Sequence, residues 1–362
     1  MSGRAAPSAA GLLDQAVADG LIPGAVLAAG VRNTEPPLLH VAGYARDDAT
    51  GQQPMRADTV FVDLASLTKI VATGPCVLHM VARGEIGLDS PVRDYLADFA
   101  GAGKDQVTVR QLLAHTGGLP DHRAYYERLT DAAAVRAAAL AEPLVSAAGT
   151  AFCYSDIGFI LLGELASVVS GTGLDDLTRQ VVSDPLGMTS TTFRPGAAGP
   201  GRVAATEVIR GAAKVGVVHD ENAEALGGVA GHAGLFGSAA DLARFAAAWT
   251  GGKGKALFPA VLRAEALRCQ TDGLPARGER RGQARRGLGW GLRGDLWDNM
   301  GDGWPASGAG HTGFTGTSLS IDPVSGLWAV LLTNAVHYGR GPRHSVVGLR
   351  KQVHAAIAAQ LR

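Results

Sequence analysis

Charge is scarce in this chain and balanced in sign: 33 basic and 33 acidic residues make up 18% of 362 and leave a formal net charge of +0. A nucleic-acid binder or an acidic scaffold has no electrostatic basis here. Cysteine is equally thin. Cys76, Cys153 and Cys269 are widely spaced, odd in number and form no C-x-x-C pair, which speaks against a disulfide framework and a cysteine-built zinc site. No apolar run is read as approaching the ~18 residues of a membrane span. Met1 to Leu13 holds one arginine and no apolar block of signal-peptide length. The expectation is a cytoplasmic protein with no membrane partner. The 50 glycines follow no three-residue period, and there is no internal repeat, so collagen-like and disordered classes fall away.

What is present is a core: 46% of residues are hydrophobic, in a chain long enough for one large or two ordinary domains. Gly24 to Val31 is an almost unbroken apolar run after Pro23, and Leu38 to Tyr44 is a second strand-like run. Helical patterns follow, from Ser66 onward with a kink at Gly74-Pro75, then near 109–114, 130–141, 158–170 and 241–249. Ser238 to Asp241 has the form of a capping box. Beta signals return at 288–294, 317–322 and 327–333, the last two joined by the turn Asp322 to Gly326, and a helix closes the chain at 346–361. The fold class expected is α/β plus all-α: an antiparallel sheet built from both chain ends and flanked by helices, with an inserted helical region. The boundaries drawn are 1–75 with 285–362 for the sheet domain and 76–284 for the helical region, with the site in the cleft between them. Pro195 to Gly201 and Asp272 to Gly287 read as loops. The second holds Arg277, Arg280, Arg281, Arg285 and Arg286, read as a solvated cluster with an anion-binding gate as the lesser alternative.

Three segments carry chemistry. Ser66-Leu67-Thr68-Lys69 opens the first long apolar helix, and an offset of three residues puts both side chains on one face. A serine hydroxyl needs a base, and a lysine in apolar surroundings can have its pKa lowered enough to help. The bland reading of Ser66 is a helix cap. Phe152 to Gly158, containing Tyr154-Ser155-Asp156, precedes a second apolar helix, and Gly310-His311-Thr312-Gly313-Phe314 leads into the terminal hairpin.

In that order, the three motifs resemble those of the penicillin-recognising serine hydrolases, in the branch of class C beta-lactamases, DD-peptidases, esterases and acyltransferases. The resemblance extends to Leu112 to Pro120 and Gly227 to Phe236. It implies a beta-lactamase-like fold, no cofactor, Ser66 as nucleophile, and Lys69 with Tyr154 moving its proton. It also implies an oxyanion hole of the Ser66 and Phe314 backbone N–H groups, and substrate contacts from Asp156, His311, Thr312, Gly313 and Phe314. Two departures bear on specificity: His311 stands where many relatives have lysine and is a weaker, pH-dependent cation, and Asp156 replaces asparagine. Both point from beta-lactams toward esters or other amides. The partners expected are a small-molecule acyl donor and, for a transferase, an amine or alcohol acceptor. A beta-lactamase or DD-peptidase and an idle ligand-binding relative are the other readings, and oligomeric state is left open.

Other candidates are weighed and set aside. His115-Thr116-Gly117 repeats the third motif's letters but precedes Tyr154, so it reads as a structural turn. Glu142-Pro143 precedes the tyrosine motif too, unlike a deacylating glutamate. His219-Asp220-Glu221 with His232 has irregular spacing for a metal; it reads as a loop beside the cleft, with Asp220 or His232 able to touch substrate. Trp290, Trp297 and Trp304 read as packing first and cleft lining second.

Overall fold

The computed structural model describes residues 7–32, 37–57, 62–197, 202–251, 256–277, 282–341 and 345–361. Its centre is the apolar run expected at 24–31. In chain order, β1 (Gly24–Val31), β2 (Leu38–Asp48) and β3 (Gly51–Pro54) come from the N-terminal part. β4 (Val62–Asp63), β5 (Thr192–Phe193), β6 (Val208–Ile209), β7 (Ala212–Ala213) and β8 (Leu235–Gly237) are short. β9 (Gly291–Leu292), β10 (Ala309–Thr312), β11 (Ser318–Ile321) and β12 (Leu327–Thr333) complete the set. The main sheet has the order β3-β2-β1-β12-β11-β10-β9, so its two halves, from opposite ends of the chain, meet where β1 pairs antiparallel with β12.

Alternation along a strand explains why β1 is apolar throughout and β12 is apolar up to Thr333. Ala25, Leu27 and Ala29 of β1, with Leu327, Ala329 and Leu331 of β12, face one core shared with the terminal helices Ala9–Ala18 and Val347–Gln360. Val26, Ala28, Val330 and Leu332 face the other core, shared with the helical region. A sheet covered on both faces leaves little room for polar positions on its central strands, and Thr333 at the end of β12 is the exception on these two.

The helical region is tied to the sheet at the place that matters for chemistry. β4 leads directly toward Ser66, and it pairs with β8, which pairs with β5. The helical run then continues without a break from Ala65 to Ala82, through a π turn at Lys69–Thr73 and an α-helix at Gly74–Ala82. The widened turn accommodates Pro75, which has no N–H for the preceding turn. The boundary drawn at 75 therefore falls inside this run. The run also reaches 18 residues apolar enough to cross a membrane, contrary to the sequence reading, but most of it is buried within the fold.

Of the strands expected near the C-terminal end, 288–294 shrinks to Gly291–Leu292, and β10 at Ala309–Thr312 is one that the periodicity does not mark. The tyrosine-motif helix starts at Asp156 rather than 158. Ser238 Oγ accepts from Asp241 N at 3.3 Å, whereas the Asp241 carboxylate turns to Ser190 N at 2.6 Å and Thr191 Oγ1 at 3.0 Å, so only half of the expected capping box forms. Residues 198–201 of one expected loop, and Arg280 and Arg281 of the other, lie outside the described residues.

Candidate active site

Ser66 stands in the first turn of the helical run, where backbone N–H groups have no partner within the helix. Ala65 before it has φ +46°, a left-handed conformation held in place by neighbours on both sides. The Asp63 carboxylate accepts from Ala65 N at 2.8 Å and from His219 N at 2.6 Å, and the Asp63 carbonyl accepts from Thr315 Oγ1 at 2.7 Å. Burial pushes the Asp63 carboxyl up to about 6 against these two N–H donors.

Lys69 Nζ donates to Ser66 Oγ at 2.9 Å and to the His232 carbonyl at 3.0 Å, and lies 2.7 Å from Asp156 Oδ1. An ammonium has three N–H bonds, and three oxygens face this one. Lys69 is fully buried. Burial alone would lower its pKa, but the Asp156 charge and the Tyr154 phenol outweigh it and hold the amine above its ordinary value. The lowered lysine pKa expected from the apolar setting is thus corrected, and the cause is the aspartate of the second motif. Burial opposes ionisation of Asp156 too, but Lys69, His122 and His232 override it and keep the carboxyl far below the usual range.

Tyr154 is seated by the first His-Thr-Gly. Ser155 caps the helix Asp156–Ser170, its Oγ accepting from Gly158 N at 3.1 Å and donating to the Pro120 carbonyl at 2.6 Å, an arrangement worth ~1 kcal/mol as a cap. Ser155 N donates to His115 Nδ1 at 3.0 Å, and the buried His115 ring lies 4.4 Å from the Tyr154 ring, centroid to centroid. On the other side stand Trp297, at 5.5 Å, and the Arg286 guanidinium, at 5.8 Å. Arg286 is buried and paired with Asp295 at 2.8 Å, which corrects its reading as part of a solvated cluster. Trp290 and Trp304 pack internally, whereas Trp297 lines the cavity. Glu142 is held by Arg123 and the Tyr125 hydroxyl, both at 2.9 Å.

β9 pairs with β10 only at Gly310 and Ala309, which leaves the His311-Thr312 end as an edge. His311 Nδ1 lies 2.9 Å from the Thr312 carbonyl; a carbonyl only accepts, so Nδ1 carries the proton. Burial, then the Lys69 and Arg286 charges, push the His311 pKa down to about 3. The pH-dependent cation expected at this position is therefore a neutral ring near pH 7, and its enclosed Nε2 has no partner among the described residues. Gly313 brings the strand end against the serine segment: a Cβ there would lie 2.5 Å from the Leu64 carbonyl oxygen and 2.2 Å from Thr317 Oγ1. No backbone acceptor for the Phe314 N–H is found among the described residues. Behind this turn, buried Arg350 donates to the carbonyls of Gly313 at 2.6 Å, Thr317 at 2.9 Å and Gly316 at 3.3 Å, and burial lowers its pKa to about 10.

The segment 219–232 supports the lysine from the far side. Asp220 accepts from Ala223 N at 2.8 Å and lies 2.9 Å from His232 Nε2; burial raises the Asp220 pKa, but His232 more than offsets this and brings it to about 2. Gly231 packs so tightly on the helix behind it that a Cβ would sit 1.9 Å from the Phe159 carbonyl oxygen. That approach delivers the Gly231 and His232 carbonyls to Thr73 and Lys69. The side chains of Asp220 and His232 are not in the cavity wall. Among the described residues, no three His, Cys, Asp or Glu side chains converge as metal ligands.

Ser66, Tyr154, His311, Thr312, Gly313 and Phe314 open onto one cavity of about 510 Å³, with Arg286, Trp297, Met300, Val336 and Val347 around them. His122 was not found by sequence reasoning. Its Nδ1 is 3.8 Å from Asp156 Oδ2, and the attraction of that carboxylate raises its pKa. A lone histidine in a loop carries no spacing signal.

A family model described as Beta-lactamase matches residues 9–348. A protein named putative D-alanyl-D-alanine carboxypeptidase, from Escherichia coli (strain K12), is 32% identical over an alignment covering 79% of this chain and 72% of that protein. Among solved structures, EstCE1, described as a hydrolase with promiscuous acyltransferase activity, is similar with a TM-score of 0.76 at 21% identity, covering 97% of both chains. SurE is similar with a TM-score of 0.68 at 28% identity, covering 90% of this chain and 71% of that one.

Proposed function

The chain belongs to the beta-lactamase family of the serine penicillin-recognising superfamily, and we propose that it cleaves small-molecule esters or amides through an acyl-Ser66 intermediate. The observation that carries this reading is the 2.9 Å contact between Lys69 Nζ and Ser66 Oγ at the mouth of the cavity. Ser66 Oγ attacks the acyl carbonyl, whose oxygen takes its negative charge between the N–H groups of Ser66 and Phe314. Lys69 and Tyr154 act as one proton-transfer unit. Asp156 holds the lysine as an ammonium that orients Ser66 Oγ, so the Tyr154 hydroxyl relays the proton: its oxygen takes the one from Ser66 Oγ as its own O–H proton passes to the departing atom. Water then attacks the acyl-enzyme, releasing the acid and restoring Ser66.

The relative named for D-alanyl-D-alanine cleavage supports a peptide amide as a second substrate class. Against a free terminal carboxylate stands the third motif, where a neutral His311 offers no charge. Of the buried arginines on this cavity, Arg350 is engaged with three carbonyls and Arg286 is paired with Asp295. Transfer to an amine or alcohol is supported by the size of the cavity, which leaves room for an acceptor, and by the fold shared with EstCE1.

The test is intact-protein mass together with product analysis after incubation with esters, amides and beta-lactams, with and without an added amine. The expected result is an acyl adduct from neutral esters, released as acid. Turnover of common beta-lactams faster than that of every ester tried would overturn the substrate class.

A further inference from the structure

Phe314 is 63% exposed although it stands on the wall of the cavity that holds Ser66. Its ring is nevertheless fixed. His219 stacks on it with centroids 5.7 Å apart and planes at 24°, and the Arg340 guanidinium lies 5.9 Å from its centre. Both supports are anchored in turn. His219 Nε2 is 3.2 Å from Glu207 Oε2, and Arg340 donates to Glu207 at 2.7 Å and to Glu221 at 2.6 Å. The His219-Asp220-Glu221 segment thus divides its work: Asp220 supports Lys69 through His232, and the residues on either side of it brace Phe314. Val347, 37% exposed, opens onto the same cavity. An apolar ring held rigid and wet gains free energy only when an apolar group covers it.

The cavity has a second aromatic wall of Tyr154, Trp297 and His311, and no ring contact joins it to Phe314 among the described residues. The two walls divide the substrate. Tyr154 has to meet the departing atom, which sends the leaving group to its side, while the Phe314 N–H holds the carbonyl oxygen and leaves the acyl chain beside the Phe314 ring. Resting on the acyl-serine reading above, we infer that Phe314 determines acyl specificity and that the preferred donor carries an aryl or bulky apolar acyl group laid against that ring. The acyl–oxygen or acyl–nitrogen bond is the one broken, as in the parent reaction.

The experiment compares phenylacetyl and acetyl esters of the same nitrophenol with the whole chain, each kcat/KM divided by the ester's own hydroxide rate. The native protein should favour the phenylacetyl ester by about tenfold or more, in the range a hydrophobic pocket supplies. Phe314→Ala should remove most of that preference and Phe314→Tyr should retain it. Glu207→Ala, which removes the carboxylate shared by His219 and Arg340, should reduce the preference several-fold, mainly through KM. A native ratio near one, or a ratio unchanged in Phe314→Ala, overturns the inference. Failure of both esters to turn over, with no adduct on Ser66, instead strikes the acyl-serine reading on which it rests.

Discussion

Lys69 Nζ and Asp156 Oδ1 lie 2.7 Å apart behind Ser66, with the lysine fully buried. The pair fixes which proton inventory the site starts from: a carboxylate, an ammonium, and a serine oxygen on that ammonium's third side.

Asp156→Asn should therefore move the alkaline limb of kcat/KM to lower pH by about one unit or more, because burial remains and its counter-charge is gone. In the native protein the lysine's raised pKa contributes stability below its unfolded value of about 10.4, and this is lost as pH rises through the folded pKa. An alkaline limb unmoved by the substitution, measured with folding monitored alongside, would show that Asp156 does not set the state of Lys69.

Lys69→Ala and Tyr154→Phe should each reduce kcat by orders of magnitude, and the double variant should be scarcely worse than the poorer single one. Steady-state rates of the four proteins check this. A double variant that loses the sum of both barriers would separate the two roles.

Arg350 braces the turn that carries the Phe314 N–H without touching Ser66. Removing a charged donor from buried carbonyls typically costs about 1.5–3 kcal/mol, so Arg350→Ala should lower Tm and also reduce kcat by loosening the turn at 313–317. Thermal melts paired with rates read both effects. Full kcat in a variant of lowered Tm would make Arg350 a folding residue alone.

Acid should destabilise the fold before the carboxylates titrate. Burial keeps His311 neutral down to about 3 and His354 to about 4, so the unfolded chain takes up protons that the native one refuses as pH falls from about 6.5. Asp63, raised to about 6, works in the opposite sense between its unfolded value of about 3.9 and 6. The net expectation is a Tm that falls from pH 6.5 to 4, with a shallower slope in His354→Gln, whose site lies between Ser318 and Ser320 and away from the nucleophile. Equal slopes in the two proteins would remove His354 from the account.

Much of this was legible in the residues because it rests on periodicity. β1 and β12 span the expected residues, since a strand covered on both faces reads as a nearly unbroken apolar run. The order of the three motifs pointed to residues that share one cavity wall: Ser66 and Tyr154 stand beside helices whose pattern is plain, whereas His311 lies on β10, which the periodicity did not mark. What was not legible depends on who faces whom across the fold. The rise in the Lys69 pKa comes from a residue 87 positions away, and the neutrality of His311 comes from burial beside two cations. His122, Asp63 and Arg350 carry no motif, and their roles exist only through backbone groups or charges brought to them by the packing.

The most direct test of the central claim is where the covalent bond forms. After a fluorophosphonate or a slow ester is added to the native protein, peptide mass spectrometry should find one added group, on the peptide containing Ser66, and none in Ser66→Ala. Labelling that persists in Ser66→Ala, or that falls on another peptide of the native protein, would contradict the account.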